Sequence, residues 1–477
     1  MNMKKIVTLL TLFAVVALQA FATKVTVQGV VYGDKNEHSG LKEGEAAVID
    51  YTDDLTADMV IEDEVEINGV KHRVVEIIDG LFTYKRSHRD VITSLRLPAG
   101  LKKVGRYAFE DCKNLETITG IPTSNLDYMG NRVFDGTKWI KSLSGEGVYL
   151  FGGWAISYIG EVPQNVVMPA ATIGICEGFL RTTGYSYINV KTLQLNEGLK
   201  ELNYRAFEGC YYLKVVTIPA SVEKIDSEAF YGCGIAEYNV AEGNTVYSAE
   251  DGILYNIDKT KLLAYPAKKV AESFTTPAGV TELGSHAFYG SSLKKLVISE
   301  GITYVPDQAI REMASLDSLS LPSTLTKMGY GTFYSCNKLK TIVLHAVEVP
   351  TYHGTDLSAS NFDNTILYVP EESLNAYQAD AKWGKLNNEG ARDNIKPLTL
   401  LDEEDGEGSG EGEGSGEGEG EGSGEGEDPG EGDTTAIESV YADDSSAPAT
   451  VYDLAGRPVK SPSKGIYIIN GKKVLVP

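Results

Sequence analysis

The pair Ala-Phe recurs in this chain, each time inside the same pattern of apolar residues. Neighbouring copies are 23 residues apart from 206 to 229 and again from 309 to 332. A fixed period of this length is typical of stacked units that cannot each bury an apolar face alone. The sequence therefore predicts a solenoid, which favours recognition over a long surface before it favours chemistry. The copies are Ala108-Phe109, Ala206-Phe207, Ala229-Phe230 and Ala287-Phe288, with degraded copies at Ala309-Ile310 and Thr332-Phe333.

The second half of each unit alternates in the manner of a β-strand. Leu319 and Leu321 are expected on one face, and Ser318 and Ser320 on the other. One such strand per unit, stacked in parallel, gives a ladder. The Ala-Phe segment then forms the turn or short helical return, and its phenylalanine fills the space between units. The predicted fold class is a β-rich α/β solenoid.

Other features recur in register with the Ala-Phe pair. They are Leu97-Pro98 and Leu321-Pro322 after strands, Gly105 and Gly284 before Ala-Phe, and a Cys three residues after the Phe. With these features, residues 74–344 resemble the BspA-like leucine-rich repeats of bacterial surface proteins. The resemblance implies β-hairpin insertions at 147–169 and 243–277 and a closing cap at 367–386. It also implies adhesion to host matrix proteins or to other bacteria.

The start of the chain differs in composition from the repeats. Lys4-Lys5, an apolar run over residues 6–18 and Ala20-Phe21-Ala22 indicate a secretory signal peptide at residues 1–22. A membrane anchor is the weaker alternative, because the run is short. The expected domains after it are an N-terminal β cap (23–72), the leucine-rich repeat solenoid (73–345) and a C-terminal cap (346–398).

An acidic segment follows the repeats. Residues 399–434 are rich in Gly, Ser and Glu, a composition that cannot form a core and predicts a disordered linker. Weak calcium binding at 402–405 is the alternative, although the spacing is not that of an EF-hand. The net charge is −24, of which the 15 acidic residues of 402–433 supply −15 and the rest of the chain −9. This balance speaks against nucleic acid as a partner, because such binding needs basic patches.

A small β module is predicted at residues 435–477. Asn470-Gly471 lies between two apolar runs, which is a strong two-residue hairpin signal. The module resembles the C-terminal sorting domain of the Bacteroidetes type IX secretion route. The resemblance implies secretion machinery as a partner and display at the surface, whereas the alternative is a β cap that only finishes the chain. The matching residues are Tyr452-Asp453, Gly456-Arg457, Lys464-Gly465-Ile466-Tyr467 and Gly471-Lys472-Lys473.

Motifs for catalysis, metals or cofactors are absent from the sequence. The six histidines lack metal-ligand spacing, and no nucleophile elbow, phosphate loop or dinucleotide fingerprint occurs. His286, next to Ala287-Phe288, is expected on the repeat surface. The five cysteines are an odd number and four occupy the slot that Met313 and Ser291 fill elsewhere, so we expect buried free thiols rather than disulfides. We therefore expect that the protein is not an enzyme and that it binds no cofactor.

The remaining candidates for a functional site are surface residues. The candidate binding residues are the outward positions of the predicted ladder, and the alternative is an ordinary solvated strand face. Two tyrosine clusters, Tyr211 with Tyr212 and Tyr185 with Tyr187, are further candidates, because tyrosine is favoured at interfaces. The candidate row is Arg96, Thr119, Gln194, Thr217, Val297, Ser320 and Val343.

The sequence favours a secreted, adhesin-like binding protein at the surface of a Gram-negative bacterium. Its partner would be an extracellular protein or glycan, with host matrix proteins among the candidates. A structural envelope protein without a specific ligand is one alternative. A glycan- or peptide-active enzyme is the other.

Overall fold

The computed structural model describes residues 23–83, 88–180, 188–354, 362, 364–390, 393–404, 451–452, 465–469 and 472–476. The chain divides into two compact units, residues 1–409 and 410–477. The predicted signal peptide and most of the acidic linker lie outside the described residues. No helix among the described residues has the length and apolar character needed to cross a bilayer.

The first unit begins with antiparallel strands that lead into parallel coils. One sheet has the order β1-β2-β3-β6-β8-β10, with β5 paired to β6, and a second has the order β4-β7-β9. The strands are β1 (Lys24–Val27), β2 (Val30–Gly33), β3 (Glu45–Tyr51), β4 (Asp58–Val60), β5 (Glu64–Ile67), β6 (Val70–Ile77), β7 (Ser94–Arg96), β8 (Lys103–Val104), β9 (Thr117–Thr119) and β10 (Tyr128–Met129).

A helix, Lys138–Ser142, and a hairpin then interrupt the coils. The hairpin pairs β11 with β12 and continues in parallel into β14, β16 and β18, while β13–β15 and β17–β19 are separate pairs. The strands are β11 (Gly147–Phe151), β12 (Trp154–Ile159), β13 (Asn165–Val167), β14 (Gly174–Ile175), β15 (Thr192–Gln194), β16 (Glu201–Leu202), β17 (Val215–Ile218), β18 (Lys224–Ile225) and β19 (Glu237–Val240).

A three-stranded antiparallel insertion interrupts the coils a second time. It has the order β20-β21-β22 and joins β24 in parallel, whereas β23 starts a new ladder. The strands are β20 (Tyr247–Glu250), β21 (Ile253–Asn256), β22 (Lys261–Ala264), β23 (Ser273–Thr275) and β24 (Glu282–Leu283).

The last coils form a six-stranded ladder, β23-β25-β27-β29-β31-β32, beside a smaller one, β26-β28-β30. Helices Leu374–Ala379 and Thr399–Glu404 and 3-10 turns Glu371–Ser373 and Trp383–Gly390 lie at this end. The strands are β25 (Lys295–Val297), β26 (Tyr304–Val305), β27 (Ser318–Leu321), β28 (Lys327–Met328), β29 (Thr341–Leu344), β30 (Thr351–Tyr352), β31 (Ile366–Val369) and β32 (Ile395–Pro397).

The predicted solenoid, with its caps and its two hairpin insertions, is confirmed. The predicted alternation also holds, since Leu319 and Leu321 are buried and Ser318 and Ser320 are half-buried. Each coil carries more β-structure than expected: a second, two-residue strand precedes the Ala-Phe turn, as Lys103–Val104 does before Ala108. The turn itself is not helical.

The core explains why the repeat pattern recurs. Phe109, Phe207, Phe288 and Phe333 are completely buried between successive coils. All five cysteines are free and buried, as expected of a slot that also accepts buried Met313. The buried apolar side chains fall into three clusters whose boundaries lie at the two insertions. Each insertion therefore marks a place where one stack of coils ends and another begins.

The second unit is described only by three strand segments. They are β33 (Val451–Tyr452), β34 (Gly465–Ile469) and β35 (Lys472–Val476). Ile469 is the register partner of Lys472 in the antiparallel β34–β35 pair, so the predicted hairpin is confirmed at the level of strand pairing. Asn470 and Gly471 lie outside the described residues.

Candidate functional site

The seven predicted surface residues do not form one continuous row. Arg96 is the register partner of Thr119, and Val297, Ser320 and Val343 are neighbours on β25, β27 and β29. Gln194 and Thr217 belong to two separate pairs of strands, β13–β15 and β17–β19. The ladder is therefore interrupted at the two insertions and also between β15 and β17, where no insertion lies, although the sequence alone suggested continuity.

Exposure also differs along this row. Thr119, Gln194 and Thr217 are exposed, and Val297 and Ser320 are half-buried. Val343 keeps its place in the outward row as the register partner of Ser320, but it is buried, so the expectation that it is exposed is wrong. The next residue in its row is Tyr368, a large buried side chain on β31, and this neighbour occupies the space beside Val343.

Arg96 is held in place by the N-terminal strands. Its guanidinium donates to the backbone oxygen of Ile61 at 3.1 Å and to Oδ2 of Asp63 at 2.6 Å. The pKa of the Asp63 carboxyl is lowered by the backbone N–H of Ala99 first and by Arg96 second. These contacts give Arg96 a structural role in the first coils.

A patch of exposed apolar side chains lies on the coil that contains β17. Tyr211, Tyr212 and Val215 are 42%, 46% and 46% exposed. The two tyrosine rings meet edge to face at 5.6 Å, and the ammonium group of Lys214 lies 5.5 Å from the Tyr211 ring. We call Tyr211, Tyr212 and Val215 the tyrosine patch. The other predicted cluster, Tyr185 with Tyr187, lies outside the described residues.

A cavity of about 560 Å³ lies where the second insertion interrupts the coils. In a solenoid, each Ala-Phe turn is covered by the next coil. Here β18 pairs only with β16, and the N–H of Ile225 donates to the Tyr247 hydroxyl of the insertion at 2.8 Å instead of to a next strand. Phe230 is consequently half-buried, although the other repeat phenylalanines are fully covered.

Charged side chains line one wall of this cavity. The Nε of Arg205 donates to Oε2 of Glu228 at 2.9 Å, and Oε1 of Glu228 lies 3.6 Å from Nε2 of His286. The His286 side chain is 8% exposed. Neither ring nitrogen makes a hydrogen bond of good geometry among the described residues, although the Gln308 side chain lies beside the ring and favours its protonated form. Burial lowers the pKa of His286, against the opposing effect of Glu228. The predicted surface position of His286 is therefore wrong.

Two tyrosines continue this wall. The rings of Tyr231 and Tyr289 are 4.7 Å apart, and the Arg205 guanidinium lies 4.4 Å from the centre of the Tyr231 ring. The Tyr289 hydroxyl donates to Oε2 of Glu312 at 2.6 Å. Burial raises the pKa of Tyr289 far above its usual value, and the bond to Glu312 adds to this effect. Tyr289 thus remains a neutral donor.

The described side chains give no positive sign of a metal centre. They include no group of three or more His, Cys, Asp or Glu able to hold a metal ion. Burial raises the pKa of the Cys112 thiol to about 12 and that of Cys233 well above its usual value, which makes both poor nucleophiles.

Motif reading missed the cavity because its lining residues come from distant parts of the sequence, between Tyr211 and Glu312. The available signal was spacing. Phe230 is followed by its next Ala-Phe copy only at Ala287-Phe288, more than two repeat periods later. An insertion of that length leaves one phenylalanine without a regular successor.

Taken together, the parallel coils, the repeating buried phenylalanines and the hairpin insertions define a leucine-rich repeat β-solenoid. The chain matches the family described as "BspA type Leucine rich repeat region" in six copies, at residues 76–155, 180–271 and 265–376. These segments cover more than half of the chain, and the chain belongs to this family.

Several solved structures are similar to this chain. A leucine-rich cell surface protein from Faecalibacterium prausnitzii is 19% identical, with 79% of this chain and 94% of that chain covered and a TM-score of 0.39. A leucine-rich repeat protein from Eubacterium ventriosum is 24% identical, with coverage of 66% and 74% and a TM-score of 0.37. The pneumococcal vaccine antigen PcpA is 18% identical, with coverage of 78% and 96% and a TM-score of 0.35. No curated protein matches the chain significantly.

Proposed function

We propose that this protein is secreted, is displayed at the cell surface, and binds an extracellular protein through its repeats in the manner of an adhesin. Membership of the BspA-type repeat family supports a repeat-based surface protein. Outside residues 402–433 the chain keeps a net charge of −9 and so shows no excess of basic residues. This balance and the small polar strand face favour a protein or glycan partner over nucleic acid. Proteins of the host matrix are the partners that we would test first.

The tyrosine patch is the observation that carries this proposal. Large apolar side chains that remain exposed together commonly mark interaction sites, and tyrosine is enriched in them. Lys214 and Lys268 both lie over the Tyr211 ring, at 5.5 and 5.7 Å. Such stacking holds the ring in place before a partner arrives, so less conformational entropy is lost on binding.

The binding experiment compares two double variants of the full-length protein on immobilised matrix proteins and glycans. Tyr211→Ser with Tyr212→Ser removes the patch, and Tyr330→Ser with Tyr334→Ser is the matched control on another coil. We expect the first to weaken binding to a matrix protein by roughly tenfold or more, as for a hot spot, and the control to bind normally.

Three results would contradict the proposal. Binding to no surface above background would leave a structural envelope protein as the better interpretation. Equal weakening by both double variants would show that the tyrosine patch is not the contact. Selective binding to glycans would replace the protein partner by a carbohydrate.

The termini complete the proposal. We propose that residues 1–22 direct export and that residues 435–477 engage the type IX route, with residues 399–434 as a spacer. Surface labelling of cells that carry the full chain or a chain without residues 450–477 tests this. Unchanged display of the shortened chain would reject the sorting role.

A further inference from the structure

We propose that the cavity at the second insertion is a binding site for a small, uncharged, amphipathic molecule with an apolar ring and one hydroxyl or amide group. This site adjoins the tyrosine patch, because Tyr211 also lines the cavity, but the inference concerns a small-molecule ligand and not the macromolecular partner proposed above. Its volume, about 560 Å³, lies within the roughly 300–1,000 Å³ that is usual for small-molecule sites.

The apolar half of the cavity is built by the break in the solenoid. Phe230 and Ile225 are half-buried because no regular coil follows them, and Tyr238, Leu254 and Cys233 also line the space. An apolar surface left open in this way is unfavourable, because interiors are normally packed without such voids. An apolar ring of suitable size would restore the contacts that the missing coil would have made.

Two residues with polar side chains at the cavity indicate which polar group the ligand would carry. The Tyr265 hydroxyl is buried and has no hydrogen-bond partner among the described residues. Neither ring nitrogen of His286 makes a hydrogen bond of good geometry there, although the Gln308 side chain lies beside the ring, and Tyr265 and His286 both line the cavity. Buried polar groups in native proteins are normally satisfied. A neutral imidazole and a phenol each donate and accept, so a hydroxyl or an amide of the ligand meets both requirements.

The charges around the cavity favour a neutral ligand. The Glu228 carboxylate is paired with Arg205, and Glu312 accepts from Tyr289 and lies 3.4 Å from the Nε of Arg311. Each carboxylate on this wall therefore already has a compensating partner. An anion would meet these carboxylates on the His286 wall, and a cation would find no free counter-charge there. Of the other charged residues that line the cavity, Lys261 is paired with Glu282, Lys268 lies over the Tyr211 ring and Asp226 accepts from the backbone N–H of Glu228.

Three matched probes test the ligand class in solution by calorimetry at pH 7 with the full-length protein. 4-Bromophenol carries the ring and a neutral hydroxyl, bromobenzene lacks the hydroxyl, and 4-bromobenzoate carries a charge. We expect 4-bromophenol to bind roughly three- to tenfold more tightly than bromobenzene, because this is the gain in affinity that one neutral hydrogen bond typically provides. We expect no measurable binding of 4-bromobenzoate.

Two variants locate the site. Ala264→Trp fills the cavity and should abolish binding of 4-bromophenol, whereas Ala314→Trp, on an exposed turn, should not change it. Asparagine, like histidine, tolerates the left-handed backbone at position 286 (φ 62°), so His286→Asn should leave the turn intact. The variant should reduce the preference for 4-bromophenol over bromobenzene. Unchanged thermal unfolding of each variant would confirm that the fold is intact.

Anomalous scattering from bromine in crystals soaked with 4-bromophenol supplies an independent location. A bromine position beside Phe230 supports the site. The proposal is overturned if bromine lies elsewhere, if Ala264→Trp binds as well as Ala314→Trp, or if 4-bromobenzoate binds as tightly as 4-bromophenol. All of these outcomes are measured with small probes alone, in the absence of any macromolecular partner of the tyrosine patch.

Discussion

The two hairpin insertions interrupt the same solenoid, yet among the described residues a large cavity lies at the second and a small one at the first. At the first, residues of the hairpin itself replace the missing coil, and the remaining space is about 20 Å³. At the second, a three-stranded insertion joins the next coils but leaves about 560 Å³ open. The comparison teaches that an insertion can be absorbed without loss of packing when it carries side chains large enough to cover the last phenylalanine.

Two aromatic residues account for the first insertion. The Phe151 ring lies 5.3 Å from Phe134, the last phenylalanine before the break, and Trp154 is almost completely buried. The indole Nε1 of Trp154 donates to the backbone oxygen of Leu126 at 3.2 Å. Gly174 makes room for this ring, since a Cβ there would lie 2.3 Å from it. In the second insertion, Tyr247 reaches the backbone of Ile225 but leaves Phe230 half-buried.

Removal of Trp154 should have the largest effect. Trp154→Ala opens a cavity at the first insertion and should lower the free energy of unfolding by about 3–5 kcal/mol. The midpoint of urea-induced unfolding measures this, with Trp154→Phe as the control that retains most of the apolar area. A loss below about 1 kcal/mol would show that Trp154 is not what closes the break.

The second prediction compares two repeat phenylalanines. Phe207 is completely buried by the coil of Phe230, so Phe207→Ala should cost about 3–5 kcal/mol. Phe230 faces the cavity, so Phe230→Ala should cost less, roughly 1–2 kcal/mol. The same urea titration on both variants gives the difference. Equal losses would mean that Phe230 is covered in solution and that the cavity is closed.

The repeat positions were predictable from the sequence, and the cavity was not. Ala206-Phe207 and the equivalent pairs share a local sequence pattern, because each coil packs against its neighbour in the same way. The exposure of Val343 did not follow from this pattern, since it depends on Tyr368 in the next strand. His286 was also misplaced, because its burial depends on Glu228 and on an insertion that no periodicity encodes. Properties set by non-repeating neighbours require coordinates.

The third prediction uses His286, which lies only at the second insertion. Its pKa is lowered in the folded protein by burial, with Arg205 and Arg311 also opposing a positive charge and Glu228 favouring one. Above the usual value of 6.5, folded and unfolded states are both neutral and stability does not depend on this group. As the pH falls below 6.5, the unfolded chain binds a proton first and stability is lost.

Unfolding free energies measured between pH 7.5 and pH 5.5 test this effect. The contribution of His286 should approach at most about 1.4 kcal/mol per pH unit, and His286→Asn should flatten the profile by that amount. His345, whose pKa is also lowered by burial, is present in both proteins and cancels in the comparison. Identical profiles would indicate that His286 is solvated when the protein is folded.

The smallest predicted effect is a difference in rate between two thiols, one at each insertion. Cys176 is 3% exposed beside the filled insertion, and Cys233 is 6% exposed and lines the cavity. Burial raises the pKa of both, so both should react slowly with iodoacetamide, with Cys233 the faster because a small reagent can enter the cavity. Timed labelling followed by peptide mass spectrometry measures the two rates in one sample. Addition of 4-bromophenol should slow Cys233 and leave Cys176 unchanged, because only one of the two insertions has space for a ligand.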